Sequence, residues 1–298
     1  MGALLRPEML SITDHLALRR PTDILLSRAG SLYRAARFDA ARDPASSLLC
    51  HALAVRHLHC DESDRAQVRA AFDALPAATA EQELVATFHL CTLALAAGVE
   101  AAAVELERAW SRMERYAWQE GRELYGACVD NADACAALLT AFEINGDLRF
   151  LRRAETLART VTARARPATR AHCQWALSLL RLARHPVALA HPGSWMAPHA
   201  ARLFDAAFPA LDNTDFGQLA QALAVAGALA ARTGSARQLQ RHEQLWALCW
   251  RACLDLPEGS PAAAAAVLRA VDLLSSQCLQ AEGPRQNARL PAAPARPG

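Results

Sequence analysis

The sequence predicts an all-α protein built from about six helical hairpins, and three observations carry that prediction. Ala and Leu dominate a chain that is 53% hydrophobic, while only 13 Gly and 15 Pro punctuate its 298 residues. Ala, Leu, Arg, Glu and Gln lose little freedom in a helix, and the β-branched residues that favour strands are scarce. Turn signals then recur near residues 61, 98, 146, 186 and 234, a period of about 40 residues that marks a two-helix repeat. Finally, the phrase Asp130-Asn131-Ala132-Asp133 returns as Asp212-Asn213-Thr214-Asp215, about two repeats further on.

In chain order, residues 1–45 read as two short capping helices, Ser11 to Arg20 and Thr22 to Phe38, separated where Pro21 stops the first. Asp39 and Asp43 are spaced i, i+4 without a second such pair and read as a solvated helix end. Residues 46–282 form the repeat domain. Ser46–His59 pairs with Asp64–Leu75, and Glu81–Ala97 pairs with Glu100–Trp118. Val129–Ile144 turns at Gly146 into Leu148–Arg166, with Gly at the left-handed position that ends a helix. Ala171–Arg184 leads through a long excursion to Pro198–Phe208, and Phe216–Arg232 turns at Gly234 into Ala236–Leu254. Pro261–Leu279 starts a sixth unit with no partner in sequence. First helices such as Leu84–Ala97 are apolar nearly all round, which predicts an inner layer. Second helices such as Leu148–Arg166 are amphipathic and belong outside. The Pro-rich residues 283–298 have no periodicity and are expected to be disordered.

The formal charge of +2 supplies no global field for nucleic acid. All 32 basic residues are Arg, which rules out Schiff-base chemistry and a phosphate-loop Lys. No apolar run is long enough to span a membrane, and Met1–Glu8 lacks the apolar core of a secretory signal. The nine Cys read as reduced thiols of a cytoplasmic core, with Cys50, Cys91, Cys135 and Cys173 recurring in successive first helices. Gly-x-Ser-x-Gly, dinucleotide and His-Glu-x-x-His signatures are absent.

The stretch Tyr125 to Arg166, with its acidic helix start Asp130–Asp133 and its turn Asn145-Gly146-Asp147 before Leu148, Phe150, Leu151 and Ala154, resembles a hairpin of the six-hairpin α/α-toroid superfamily. Sugar epimerases, glycoside hydrolases and terpene cyclases belong to that superfamily. The resemblance implies an active site on the face where inner helices begin, and hence catalytic roles for Asp130, Asp133, Asp212 and Asp215, with Mg²⁺ as a cofactor they could hold. Capping of their own helices explains the same residues. The excursion around His191, Trp195 and His199 is the other candidate, as a binding loop. His57 with Cys60 or Asp61 has metal-ligand spacing but lacks further ligands. On this basis the expected function is a non-enzymatic helical-repeat module that binds a protein or peptide, either as an open solenoid or as a toroid. The alternative is a toroid enzyme acting on a carbohydrate or an isoprenoid through the four aspartates.

Overall fold

The computed structural model describes residues 12–58, 60–76, 83–126, 129–164, 171–185 and 195–278. Among them are twelve α-helices: α1 Ile12–Ala35, α2 Pro44–His57, α3 Glu62–Asp73, α4 Leu84–Ala96, α5 Ala102–Arg112, α6 Asn131–Asn145, α7 Leu148–Arg164, α8 His172–Leu182, α9 Met196–Ala207, α10 Phe216–Thr233, α11 Ala236–Leu254 and α12 Pro261–Cys278.

The even-numbered helices are the apolar ones and form the inner layer. Each packs on the next, and α12 packs back on α2, so the six close into a ring. The outer layer follows the same order, with α3, α5, α7, α9 and α11 each backing the inner helix before it, and α1 backing α12. This is an α/α toroid, and the N-terminal helix completes its sixth hairpin. The seam is tied by polar bonds: the Cys50 thiol donates to the Pro261 carbonyl at 3.2 Å, and Arg28 pairs with Glu258 at 3.1 Å.

The helices form where composition and caps dictate. Gly146 (φ 76°) and Gly234 (φ 65°) end α6 and α10 in the left-handed conformation, where a Cβ would be strained. In α7, Phe150, Leu151, Ala154, Leu157 and Ala158 are fully buried, while Arg149, Arg152 and Arg159 face solvent. Phe150 meets Phe88 and Trp110 edge-on, each with centroids 5.2 Å apart, and joins the α6–α7 and α4–α5 hairpins. Small residues let inner and outer helices approach closely: a Cβ on Gly227 of α10 would stand 3.3 Å from the His242 ring of α11. Cys50, Cys91, Cys135 and Cys173 are buried in this layer. Burial pushes their thiols up to about 12, so they are packing groups rather than nucleophiles.

Two local expectations change. Helix α1 runs unbroken through Pro21. A mid-helix proline costs about 3 kcal/mol, but Leu18, Pro21, Leu25, Ala29 and Leu32 form one buried stripe, and docking that stripe on α12 offsets the cost. Helix α5 ends at Arg112 rather than Trp118. The chain widens into a π-turn over Met113–Ala117, then pairs Trp118–Gln119 (β1) with Leu124–Tyr125 (β2) as a small antiparallel hairpin. Arg153 of α7 lies 3.6 Å over the Trp118 ring and pairs with Glu114, which also accepts the Tyr125 hydroxyl proton at 2.9 Å.

Candidate functional site

The two copies of the Asp-Asn-x-Asp phrase sit three residues out of register. In the first copy Asp130 is the N-cap of α6, accepting from the amides of Ala132 (2.8 Å) and Asp133 (3.3 Å). In the second copy Asp215 is the cap of α10, accepting from the Gln218 amide at 3.0 Å, while Asp212 closes a turn by accepting from the Thr214 amide and hydroxyl. Asn131 instead fastens the β-hairpin to α6, bonding the Tyr125 amide at 2.8 Å and carbonyl at 3.1 Å. Helices α6 and α10 are two places apart around the ring with α8 between them. Replacing Asp215 by Ala removes one cap and is expected to lower stability by about 1 kcal/mol in urea unfolding.

Asp133 differs from the other three. It is exposed, and it accepts from the Gln174 amide of α8 at 2.6 Å. Its charge also reaches Arg269 of α12, the inner helix diametrically opposite α6. Arg269 is exposed on a helix whose other sides are covered by α1, α2 and α10, so it lies on the lumen side of the ring.

One further lumen group carries no signal that singles it out in the sequence. His89 sits midway along α4, and its Nδ1 is buried without a hydrogen-bond partner. Its pKa is pushed down to about 4, first by desolvation and then by the guanidiniums of Arg269, Arg181 and Arg56, with Asp272 opposing. Arg181 lies on α8, and Arg269 and Asp272 on α12, each two places from α4. His89, Arg56, Arg181, Arg269 and Asp272 therefore face one lumen, with a neutral imidazole among guanidiniums.

The end of the lumen where the inner helices finish is crossed by polar bonds between them. Arg181, 6% exposed, donates from Nη2 and Nε to both oxygens of Glu143 at 2.8 and 3.0 Å and from Nη2 to the Thr140 hydroxyl at 3.0 Å. His57 Nε2 meets Asp272 at 2.7 Å and Arg56 Nε meets it at 3.0 Å, so His57 is engaged across the seam rather than with Cys60 or Asp61. Desolvation raises the pKa of both carboxylates, but their cationic partners outweigh it and hold Glu143 and Asp272 below the usual range. Arg184 donates to the Ser276 carbonyl. At the other end Asp133 and Arg269 are open to solvent, which makes the helix-start face the mouth.

The binding-loop candidates lie on the outer layer. Trp195 precedes α9 and meets His199 edge-on at 6.3 Å; Arg202 donates to His199 Nδ1 at 2.8 Å. His191 falls outside the described residues. Among the described residues, no three His, Cys, Asp or Glu side chains converge as metal ligands would, and no helix is long and apolar enough to cross a membrane.

No family model and no curated protein matches the chain, but solved structures share its fold. A D-mannose isomerase superposes with a TM-score of 0.65 at 15% identity, covering 91% of this chain and 99% of its own. The cellobiose 2-epimerase from Bacillus thermoamylovorans B4167 superposes with a TM-score of 0.51 at 10% identity, covering 74% of this chain and 78% of its own. These likenesses bear out the toroid resemblance drawn from residues 125–166. They also correct the expected function. A non-enzymatic module binding a protein or peptide needs an open concave face, whereas this ring is closed around an ionised lumen and the neighbours that share it are enzymes.

Proposed function

We propose that this chain is an enzyme that moves a proton on a sugar held in the ring lumen, exchanging carbonyl and hydroxyl between adjacent carbons or inverting the carbon beside the carbonyl. The observation that carries the reading is the buried, unpartnered Nδ1 of His89 amid the lumen guanidiniums. A neutral imidazole accepts a proton. It takes the hydrogen from the carbon next to the carbonyl, the C–H electron pair forms the double bond of an enediolate, and the carbonyl oxygen becomes anionic. Guanidiniums fixed in a low-dielectric lumen stabilise that oxygen. Return of the proton to the former carbonyl carbon, with the hydroxyl proton of the second oxygen shifting to the anionic one, gives the isomer; return to the opposite face of the original carbon gives the epimer. The names of the two structural neighbours support this class of chemistry.

Of the four aspartates, Asp133 is assigned to substrate, receiving sugar hydroxyls at the mouth beside Gln174; Asp130, Asp212 and Asp215 hold their helix starts. The isoprenoid branch is set aside, because an apolar polyene would strip water from Arg56, Arg181 and Arg269 without replacing it. Free buried thiols support a cytoplasmic location. The test is incubation of the purified protein with neutral and acidic aldoses in D₂O, following solvent deuterium at C1 and C2 and ketose formation by NMR. Exchange is expected with at least one sugar; its absence across the panel would end the reading.

A further inference from the structure

Of the lumen cations, Arg269 stands apart. Arg181 is satisfied by Glu143, Thr140 and the Ala136 carbonyl, Arg56 by Asp272, and Arg184 by the Ser276 carbonyl. No ion pair or hydrogen bond holds the Arg269 guanidinium among the described residues. The carboxylate whose charge acts on it is Asp133, across the ring, and Asp133 accepts from the Gln174 side-chain amide at 2.6 Å instead. We infer that the sugar carries an anionic group, a phosphate or a carboxylate, and that Arg269 is the residue that seats it. The inference rests on the proposed proton-transfer reading and narrows its substrate class.

Charge and shape both favour an anion. Asp272 and Glu143 match Arg56 and Arg181, whereas the Arg269 charge has no bonded counter-ion among the described residues. A neutral sugar can accept a hydrogen bond from a guanidinium but leaves its charge uncompensated. A phosphate or carboxylate accepts two parallel N–H bonds and neutralises it. Arg269 is solvent-exposed, yet desolvation still lowers its pKa, as expected of a group on the inner wall of the ring. An anion seated there also enters the field at His89. It opposes the guanidiniums that hold the imidazole at low pKa, and so makes the ring a better base when substrate is present. Recognition of the acidic group and readiness of the base are then one event.

The experiment compares an aldose with its 6-phosphate and its C6 uronate, in the wild type and in Arg269→Gln and Arg269→Lys variants. The wild type is expected to prefer one acidic form over the neutral sugar by about 30-fold or more in kcat/KM. That preference should collapse in Arg269→Gln and be partly restored in Arg269→Lys, with unchanged circular dichroism. The phosphate and uronate arms identify which acid it is. Inorganic phosphate, or glucuronate for the carboxylate case, should raise the melting temperature of the wild type but not of Arg269→Gln, a readout independent of turnover. Equal turnover of neutral and acidic sugars overturns the anion seat and leaves the proton-transfer reading standing. Turnover of none, with Arg269-dependent anion binding intact, overturns the proton-transfer reading and leaves the seat. Anion stabilisation that is absent, or identical in Arg269→Gln, overturns the seat.

Discussion

Replacing Arg181 by Met is expected to cost about 3–5 kcal/mol of stability, the typical effect of removing one partner of a buried ion pair. Arg181 is 6% exposed, and its guanidinium reaches both oxygens of Glu143, the Thr140 hydroxyl and the Ala136 carbonyl. These bonds join α6 to α8, and the field of Asp272 extends them toward α12. Without the guanidinium, Glu143 is left as a largely desolvated carboxylate. The penalty comes from that orphaned charge more than from the lost attraction, so the double variant Glu143→Gln/Arg181→Met should recover a large part of it. Urea unfolding of the four proteins of the cycle measures both terms, and equal losses in the single and double variants would show that packing rather than charge holds this end of the ring. The pair also has a pH signature. Although desolvation raises the Glu143 pKa, Arg181 outweighs it and holds the group below its unfolded value. Its contribution is therefore complete above the unfolded carboxylate pKa and is lost as pH falls toward the folded one. Arg181→Met should flatten that acid limb.

How much of this was legible in the sequence depends on the range of the physics involved. The hairpins were legible because their signals are local: Gly146 and Gly234 sit at the helix ends their φ values require, and the alternation of Arg149, Arg152 and Arg159 with Leu151, Ala154 and Leu157 separates outer helices from inner ones. Closure of the ring was not legible. Pro21 reads as a stop, and only the docking of the Leu18–Leu32 stripe on a helix more than two hundred residues away makes it tolerable. The Asp phrase misled for a related reason: a carboxylate can cap from several positions, so matching sequences need not share a register. Asp130 caps α6, whereas Asp215, the last residue of its copy, caps α10. The lumen residues left a fainter mark. His89, Arg181 and Arg269 are each flanked on both sides by apolar residues of their helices, and such interruptions can as well be read as the edge of a solvated face. Only the ring places them opposite one another. Asp133 was legible as a candidate because it shares the helix-start rim, but its place on the helix opposite that of Arg269 needed the fold.

His89→Gln is expected to lower kcat on the sugar substrate by about 10²–10⁴, the usual contribution of a positioned general base, with a much smaller change in KM. Glutamine preserves side-chain hydrogen bonding but cannot accept a proton at neutral pH, so solvent deuterium should cease to enter the sugar while binding persists. Two pH measurements separate a catalytic role from a packing role. In the wild type, kcat/KM should fall as pH drops through about 4, where His89 becomes protonated, and the limb in kcat should lie higher if bound substrate brings negative charge beside the ring. Stability carries the second signature. The folded-state pKa of about 4 lies below the ordinary value of 6.5, so between these values the unfolded chain binds more protons than the native one. Stability therefore decreases as pH falls through that window. The gap corresponds to at most about 3 kcal/mol, and His89→Gln should remove this loss while abolishing exchange. A variant with wild-type exchange would exclude His89 as the base. One that loses exchange only by unfolding would reduce His89 to packing, and the neutral-pH melting curve distinguishes that case. The contrast follows from the geometry: the burial and the guanidiniums that make a charged His89 costly to the folded ring also keep it neutral, and therefore able to take a proton, at neutral pH.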